Sequence, residues 1–287
     1  MKSPLRKRLP RELKSEFGKY LVVFIMMAIT IGFVSGFLVA DGSMLRAYDD
    51  SFQKYNIEDG YFQTKKKLTP AQKEDIEKSD VKVYENFYIE QKLTNGSTIR
   101  FFKNRKEVDK VCLMNGKMPK KSGEIAVDRM YADNNELKVG DTVKSRKKTF
   151  RITGLVALSD YSALFQNNND TMFDAVKFGV AIVTDKDFEA LNQVKVQYNY
   201  AWIYDKKPAT EKKEKKMAED LMEDMADVVT IESFVPQYQN QSIHFTGDDM
   251  GSDRAMIVML LYIVMAILAF VFGITISNMI RKEAGVI

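Results

Sequence analysis

The sequence predicts an α+β membrane protein in which two transmembrane helices flank a mixed α+β domain with a small β-rich subdomain. Apolar residues collect in two runs without charge, a 21-residue run at 20–40 and a 26-residue run at 255–280. About 20 apolar residues suffice for a helix to cross the hydrocarbon core. The 214 residues from 41 to 254 carry 34 basic and 36 acidic residues, so they are read as a water-facing domain. Within that domain strand-like and helix-like periodicities alternate.

Residues 1–19 form a basic segment, with Lys2, Arg6, Lys7, Arg8, Arg11, Lys14 and Lys19 against Glu12 and Glu16. Arg281 and Lys282 follow the second run. An excess of Lys and Arg marks cytoplasmic flanks, so both ends are expected in the cytoplasm and 41–254 outside. Leu9, Leu13, Phe17 and Leu21 recur every four residues. That spacing reads as an amphipathic helix on the membrane face, or as a basic flank that serves topology only. The net charge of +4 resides in the flanks, so no basic face for nucleic acid is expected on the domain. The first run exceeds the usual core of a signal peptide, the competing explanation for it.

Ala28, Gly32, Gly36 and Ala40 form a stripe of small residues on the first membrane helix; Ala266, Ala269, Gly273 and Ser277 form one on the second. Small residues let helices approach closely in lipid, which predicts association through these faces as a homodimer or pseudo-dimer. Met44, Tyr48, Phe52 and Tyr55 keep helical spacing beyond the first run and predict a stalk.

In the domain, "IEDGYFQT" predicts a strand and "TPAQKEDIEKS" a helix capped by Thr69 with Pro70 in its first turn. "FYIEQKLTNGSTIRFF" predicts a hairpin with positive φ at Asn95 and Gly96. Short strands follow in "VCLMNG", "GEIAVD", "VGDTVKS" and "TFRITGLVAL". The order then becomes strand and helix in "KFGVAIVTDKDFEALN", a strand in "YNYAWIYD", and a long helix before "VVTIESF". That helix is expected to bury Met217, Ala218, Leu221, Met222 and Met225, with Lys212–Lys216 solvated and Glu211 paired to Lys215. "QNQSIHFTGDDMGSD" reads as a polar linker into the second membrane helix.

His244 is the sole histidine and Cys112 the sole cysteine. Histidine triads, multi-cysteine zinc sites and internal disulfides are thereby excluded. Cys112 is expected to be a small buried apolar residue. There is no P-loop motif, and the acids Asp185, Asp187, Asp248, Asp249 and Asp253 lack calcium-loop spacing. Neither a catalytic constellation nor a cofactor site is predicted.

"NGKMPKKSGEIAVDRMYADNNELKVGDTV", followed by "FRITGLV", is the chain's most distinctive stretch, through Gly116, Pro119, Gly123, Glu124, Gly140 and Asp141. It resembles the extracytoplasmic core domain of FtsX-like, MacB-type permeases of ABC transporters. "IRKEAGVI" resembles the family's cytoplasmic coupling segment through Arg281, Glu283, Gly285 and Ile287, beside Lys282, with Ala284 in place of the commoner isoleucine. The resemblance implies a permease subunit in the plasma membrane of a bacterium, with a Gram-positive source expected. A separate cytoplasmic ATPase is the implied partner, driving export, extraction or mechanotransmission through the outer domain. It also implies that the chain is the amino-terminal part of a longer permease. Two other readings stand beside it. A two-helix sensor with an extracellular ligand-binding domain shares the topology, and a membrane-anchored cell-wall enzyme lacks catalytic residues.

Overall fold

A computed structural model describes residues 14, 17–145 and 148–284. Along the described residues the first element is α1 (Phe17–Tyr55). The chain continues through β1 (Gly60–Thr64), α2 (Pro70–Glu77), β2 (Val81–Glu85), β3 (Tyr88–Lys92) and β4 (Thr98–Lys103). Next come β5 (Cys112–Gly116), β6 (Glu124–Asp128), α3 (Arg129–Asn134), β7 (Thr142–Lys144), β8 (Thr149–Ala157) and β9 (Phe178–Val183). It closes with α4 (Asp185–Ala190), β10 (Val196–Tyr204), α5 (Glu211–Ala226), β11 (Ile231–Pro236) and α6 (Gln241–Ala284). Packing divides it into two units, one holding the apolar parts of α1 and α6 and the other spanning Tyr48–Asp248.

In the first unit, α1 and α6 are long and apolar enough to cross a membrane. Their large side chains, such as Phe24, Ile29, Phe33 and Phe270, face outward instead of into a protein core. The expected stalk is helical to Tyr55. The expected polar linker is a correction: α6 starts at Gln241, so most of that segment is helix. Its polar residues solvate a helical turn as readily as a loop. Of the expected amphipathic segment, Leu9 and Leu13 lie outside the described residues, and Phe17 and Leu21 are exposed on α1.

The second unit contains two subdomains. In the first, β1, β10, β2 and β11 make an antiparallel sheet in the order β11-β1-β10-β2. With α2 following β1 and α5 following β10, this is a βαββαβ, ferredoxin-like arrangement. Its second and third strands in chain order, β2 and β10, are joined by an entire inserted subdomain in place of a hairpin. Phe62, Val83, Tyr200 and Trp202 on the sheet pack with Ile76 of α2 and Leu221 and Met225 of α5. Thr69 caps α2 as expected: its hydroxyl accepts from the Gln72 amide at 3.2 Å, and Gln72 returns a bond to the Thr69 amide at 3.0 Å. On α5, Ala218, Leu221 and Met225 are buried, whereas Met222 is exposed and corrects its expected burial. The buried stripe is narrower than the methionine content suggests.

The inserted subdomain is a mixed sheet in the order β3-β4-β9-β6-β8, with β7 and β5 both beside β8. A bridge between Leu93 and Ser145, with the Thr94 amide on the Lys144 carbonyl, joins β3 to β7 and closes a barrel. Ile99, Phe101, Ile125, Val127, Phe150, Ile152, Val180 and Ile182 fill it. β9 is buried along its whole length because it lies between β4 and β6. The β3–β4 hairpin forms as expected, with one correction. Only Gly96 has positive φ, at +90°. The Asn95 side chain instead accepts from the Ser97 amide at 3.1 Å, an Asx turn that removes the need for a second left-handed residue.

Candidate functional site

The motif residues form one turn assembly around β6 and β8. The Glu124 carboxylate accepts from the Lys120 and Lys121 amides at 2.8 and 2.9 Å, bending the chain between half-buried Pro119 and β6. Those two amides hold its carboxyl below the usual carboxylate range. The Gly123 amide donates to Asp187 at 2.8 Å. Gly116 has φ +75°, and a Cβ there would stand 2.3 Å from the Thr153 carbonyl oxygen, so the position requires glycine. Gly140 has φ +108° and turns the chain into β7, with the Asp141 carboxylate accepting from the Lys138 amide at 2.8 Å. The structure therefore brings Gly116, Gly123, Glu124, Gly140 and Asp141 together as a scaffold, in which backbone groups satisfy their polar atoms.

The other expected site residues lie apart from it. Ala28, Gly32, Gly36 and Ala40 sit on the exposed surface of α1. Among the described residues, and beyond the helix's own nearby backbone and the adjoining residues, no atom lies within 4 Å of a Cβ placed at Gly32, Gly36 or Gly273. On α6, Ala266, Ala269, Gly273 and Ser277 line an open, shallow groove that ends at Arg281. Arg281 is exposed on the last turns of α6; Lys282 and Glu283 continue that helix. Gly285 and Ile287 lie outside the described residues. Cys112 corrects its expected burial: it is half-buried at the start of β5 and accepts a hydrogen bond from the Tyr55 hydroxyl at 2.8 Å.

The most elaborate polar arrangement escaped the sequence reading. Beyond the end of α1, Glu58 is buried beside Asp109, whose carboxylate accepts from the Glu58 amide at 2.9 Å. Arg105 clasps Asp160 in a bidentate pair at 2.5 and 3.0 Å and stands 4.0 Å from Asp109. Asn86 donates to Asp109 at 3.1 Å, and Asn240, next to the start of α6, donates to Glu58 at 3.4 Å. Nearby, Arg100 binds Glu90, the Tyr161 hydroxyl and the Gln166 carbonyl, with its guanidinium 4.2 Å from the Tyr88 ring centre. Glu58, Asn86, Arg100, Asp160 and Asn240 line one small polar cavity. These residues come from five separated stretches of chain, and no spacing rule links them.

The same region anchors the helix ends. The Tyr55 and Asn56 carbonyls accept from the Lys110 and Asp109 amides at 2.8 and 3.0 Å. The Ser162 hydroxyl donates to the Ser242 and Ile243 carbonyls, and Tyr48 donates to the Ile243 carbonyl at 2.7 Å. A Cβ on Gly247 would collide with the Tyr48 ring at 2.7 Å, so the glycine permits this close packing. Among the described residues no group of three or more metal-ligating side chains is present.

No protein-family model matches the chain, and no curated protein matches it. Among solved structures it is similar to the extracellular domain of the noncanonic ABC-type transporter YknZ from Gram-positive bacteria. That match has a TM-score of 0.31 and 12% identity over 61% of this chain and 97% of that one. It is also similar to the periplasmic region of MacB from Actinobacillus actinomycetemcomitans, with a TM-score of 0.31 and 14% identity over 58% of this chain and 83% of that one.

Proposed function

We propose that this chain is a permease subunit of an FtsX/MacB-type ABC system in a bacterial plasma membrane, with both ends cytoplasmic and residues 41–254 outside. A separate ATPase binds the segment Arg281–Ile287, and its cycle moves the outer domain, for export, extraction or transmission of force. The observation that carries this reading is helix continuity. α1 is 39 residues long and α6 is 44, well beyond a membrane crossing, and each runs unbroken from its apolar stretch to a hydrogen-bonded end in the outer domain. A helix without a break transmits displacement along its axis. The G-x-x-P-x-x-x-G-E-I and L-x-V-G-D stretches support the same family, since they build one turn assembly. The exposed small-residue stripes are surfaces for further membrane helices or a second copy.

The test is copurification of the chain from its native membrane, with the retained ATP-binding proteins identified by mass spectrometry. Retention of an ATP-binding subunit, with loss of retention on Arg281→Ala plus Glu283→Ala, is expected. Retention of no ATP-binding subunit by the intact chain sinks the proposal and favours the sensor reading.

A further inference from the structure

Glu58, Asp109 and Asp160 are 3%, 0% and 3% exposed, and the guanidinium of Arg105 is the cation placed among them. Arg105 spends both terminal nitrogens on Asp160. Asp109 is left with neutral donors, the Glu58 amide and the Asn86 side chain, and with Arg105 at the edge of ion-pair range. Glu58 Oε1 has a single long bond from Asn240, and Glu58 Oε2 is buried with no donor facing it. Fully ionised, the cluster holds three negative charges against one positive, out of water. An interior does not tolerate such an excess without a proton or a cation. The Glu58 carboxyl lies close enough to Asp109 for each to act on the other's ionisation, and both are buried.

We propose that Glu58 and Asp109 form a proton-binding site, in which one shared proton fastens the outer ends of α1 and α6 to the loop that carries Arg105 and Asp109. In the protonated state the Glu58 hydroxyl donates to the Asp109 carboxylate. In the deprotonated state the proton has left to water and two facing carboxylates repel. Glu58 sits just past α1, its backbone carbonyl accepts from Gln237, and its side chain is held by Asn240 at the threshold of α6. Losing the proton therefore loosens both attachments together.

The surroundings agree with a proton. Burial, then the Asp109 and Asp160 charges, push the Glu58 carboxyl well above the usual range, against Arg105. Burial and Asp160 lift Asp109 to about 7, with Arg105 again opposing. From β1, Tyr61 faces Glu58, and from β4 the Arg100 guanidinium lines the same cavity. A fixed cation in so small a cavity disfavours a second, mobile one.

The test uses the full chain in detergent micelles and compares it with Glu58→Gln, which keeps a neutral donor but cannot titrate. Infrared difference spectra across about pH 5 to 9 read protonated carboxyls, and amide exchange reads the closure of the His244 amide on the Asn240 carbonyl. The intact chain is expected to lose a protonated-carboxyl band with a midpoint near neutrality, and that portion is absent from Glu58→Gln. At high pH the exchange of His244, corrected for the intrinsic pH effect, rises roughly tenfold in the intact chain and stays flat in the variant. Identical titrations of the two proteins overturn the site. Restoration of slow exchange at high pH by added sodium, potassium or calcium also overturns it in favour of a cation. Should Glu58→Gln fail to fold, Asp109→Asn serves instead: removing that negative charge lowers the remaining midpoint by roughly one pH unit or more. An unmoved midpoint there counts against the pair.

Discussion

Asp187, in the first turn of α4, accepts a 2.8 Å hydrogen bond from the Gly123 amide and so ties that helix to the turn leading into β6. Its other partners are the Ser122 hydroxyl at 2.6 Å and the Lys148 ammonium in direct contact. Burial alone would raise this carboxyl, but the bonds from Lys148, Ser122 and Gly123 outweigh it and hold it below the usual range. The contribution to stability is therefore present above about pH 4 and fades as pH falls through the lowered folded value. Asp187→Ala is expected to cost about 2 kcal/mol at neutral pH, since it strands two donors and a lysine. Urea unfolding followed by circular dichroism at about pH 7 and about pH 3 checks both the size and the loss on acidification. An equal cost at both pH values contradicts the assignment.

The motif glycines separate into two kinds, and alanine tells them apart. At Gly116 an added Cβ meets the Thr153 carbonyl oxygen at 2.3 Å as well as an unfavourable φ, so Gly116→Ala is expected to cost about 3 kcal/mol or more. At Gly140 the φ is +108° but, among the described residues and apart from its chain neighbours, no atom lies within 4 Å of an added Cβ, so Gly140→Ala is expected to carry backbone strain alone, about 1–2 kcal/mol. Equal costs in urea melts would mean that strand β8 yields to the methyl group.

Where the fold was legible, the signal was local. Thr69 with Pro70 marks a helix start, Asn95-Gly96 a hairpin, and the uncharged runs mark α1 and α6, because each is decided by residues a few positions apart. The ferredoxin-like order was not legible. It depends on β1 pairing with β10 across the whole inserted barrel, and the alternation of "GYFQT" names a face but no partner. The polar cluster was hidden for the same reason. Glu58, Arg105, Asp109 and Asp160 each look like one more surface charge among 36 acids and 34 bases until the fold buries them together. Cys112 deceived in the opposite direction: its apolar neighbours suggested a core, yet β5 is an edge strand and Leu113 and Met114 are exposed.

Trp202 is the chain's single tryptophan and reports on the ferredoxin-like subdomain alone. It is fully buried, stacked 4.7 Å from Phe234, with Gly60 beneath its ring. Its emission is expected to be that of an apolar site and to shift red when this subdomain unfolds. Trp202→Ala is expected to cost about 3–5 kcal/mol. A native emission already at the solvent-exposed wavelength contradicts this packing.

Cys112 supplies a native test of topology. It is half-buried and bonded to Tyr55, so a membrane-impermeant maleimide should label it on intact cells at a slow but measurable rate. Tyr55→Phe removes the hydroxyl that occupies the sulfur and is expected to speed labelling. Reaction only after the membrane is permeabilised would put residues 41–254 inside, against the proposed orientation.

Asp128 caps α3, accepting from the Tyr131 amide at 3.1 Å while itself only 4% exposed. Burial lifts its carboxyl to about 7, against the opposing pull of the Tyr131 and Met130 amides. An acid with a raised folded pKa behaves oppositely to Asp187. The folded state keeps a proton that the unfolded chain has released, so this contribution to stability is full below about pH 4 and declines as pH rises to about 7. Above that it is flat. Asp128→Asn retains a capping oxygen and removes the charge, so it is expected to be more stable than the parent at about pH 8 and to flatten the decline between about pH 4 and 7. The parent retains the Glu58 and Asp109 share of that slope, so Asp128→Asn and Glu58→Gln should reduce it independently. Unfolding midpoints of the parent, each single variant and the double variant across this range measure that additivity. A single variant that abolishes the whole slope would assign it to one site and remove the other from the account.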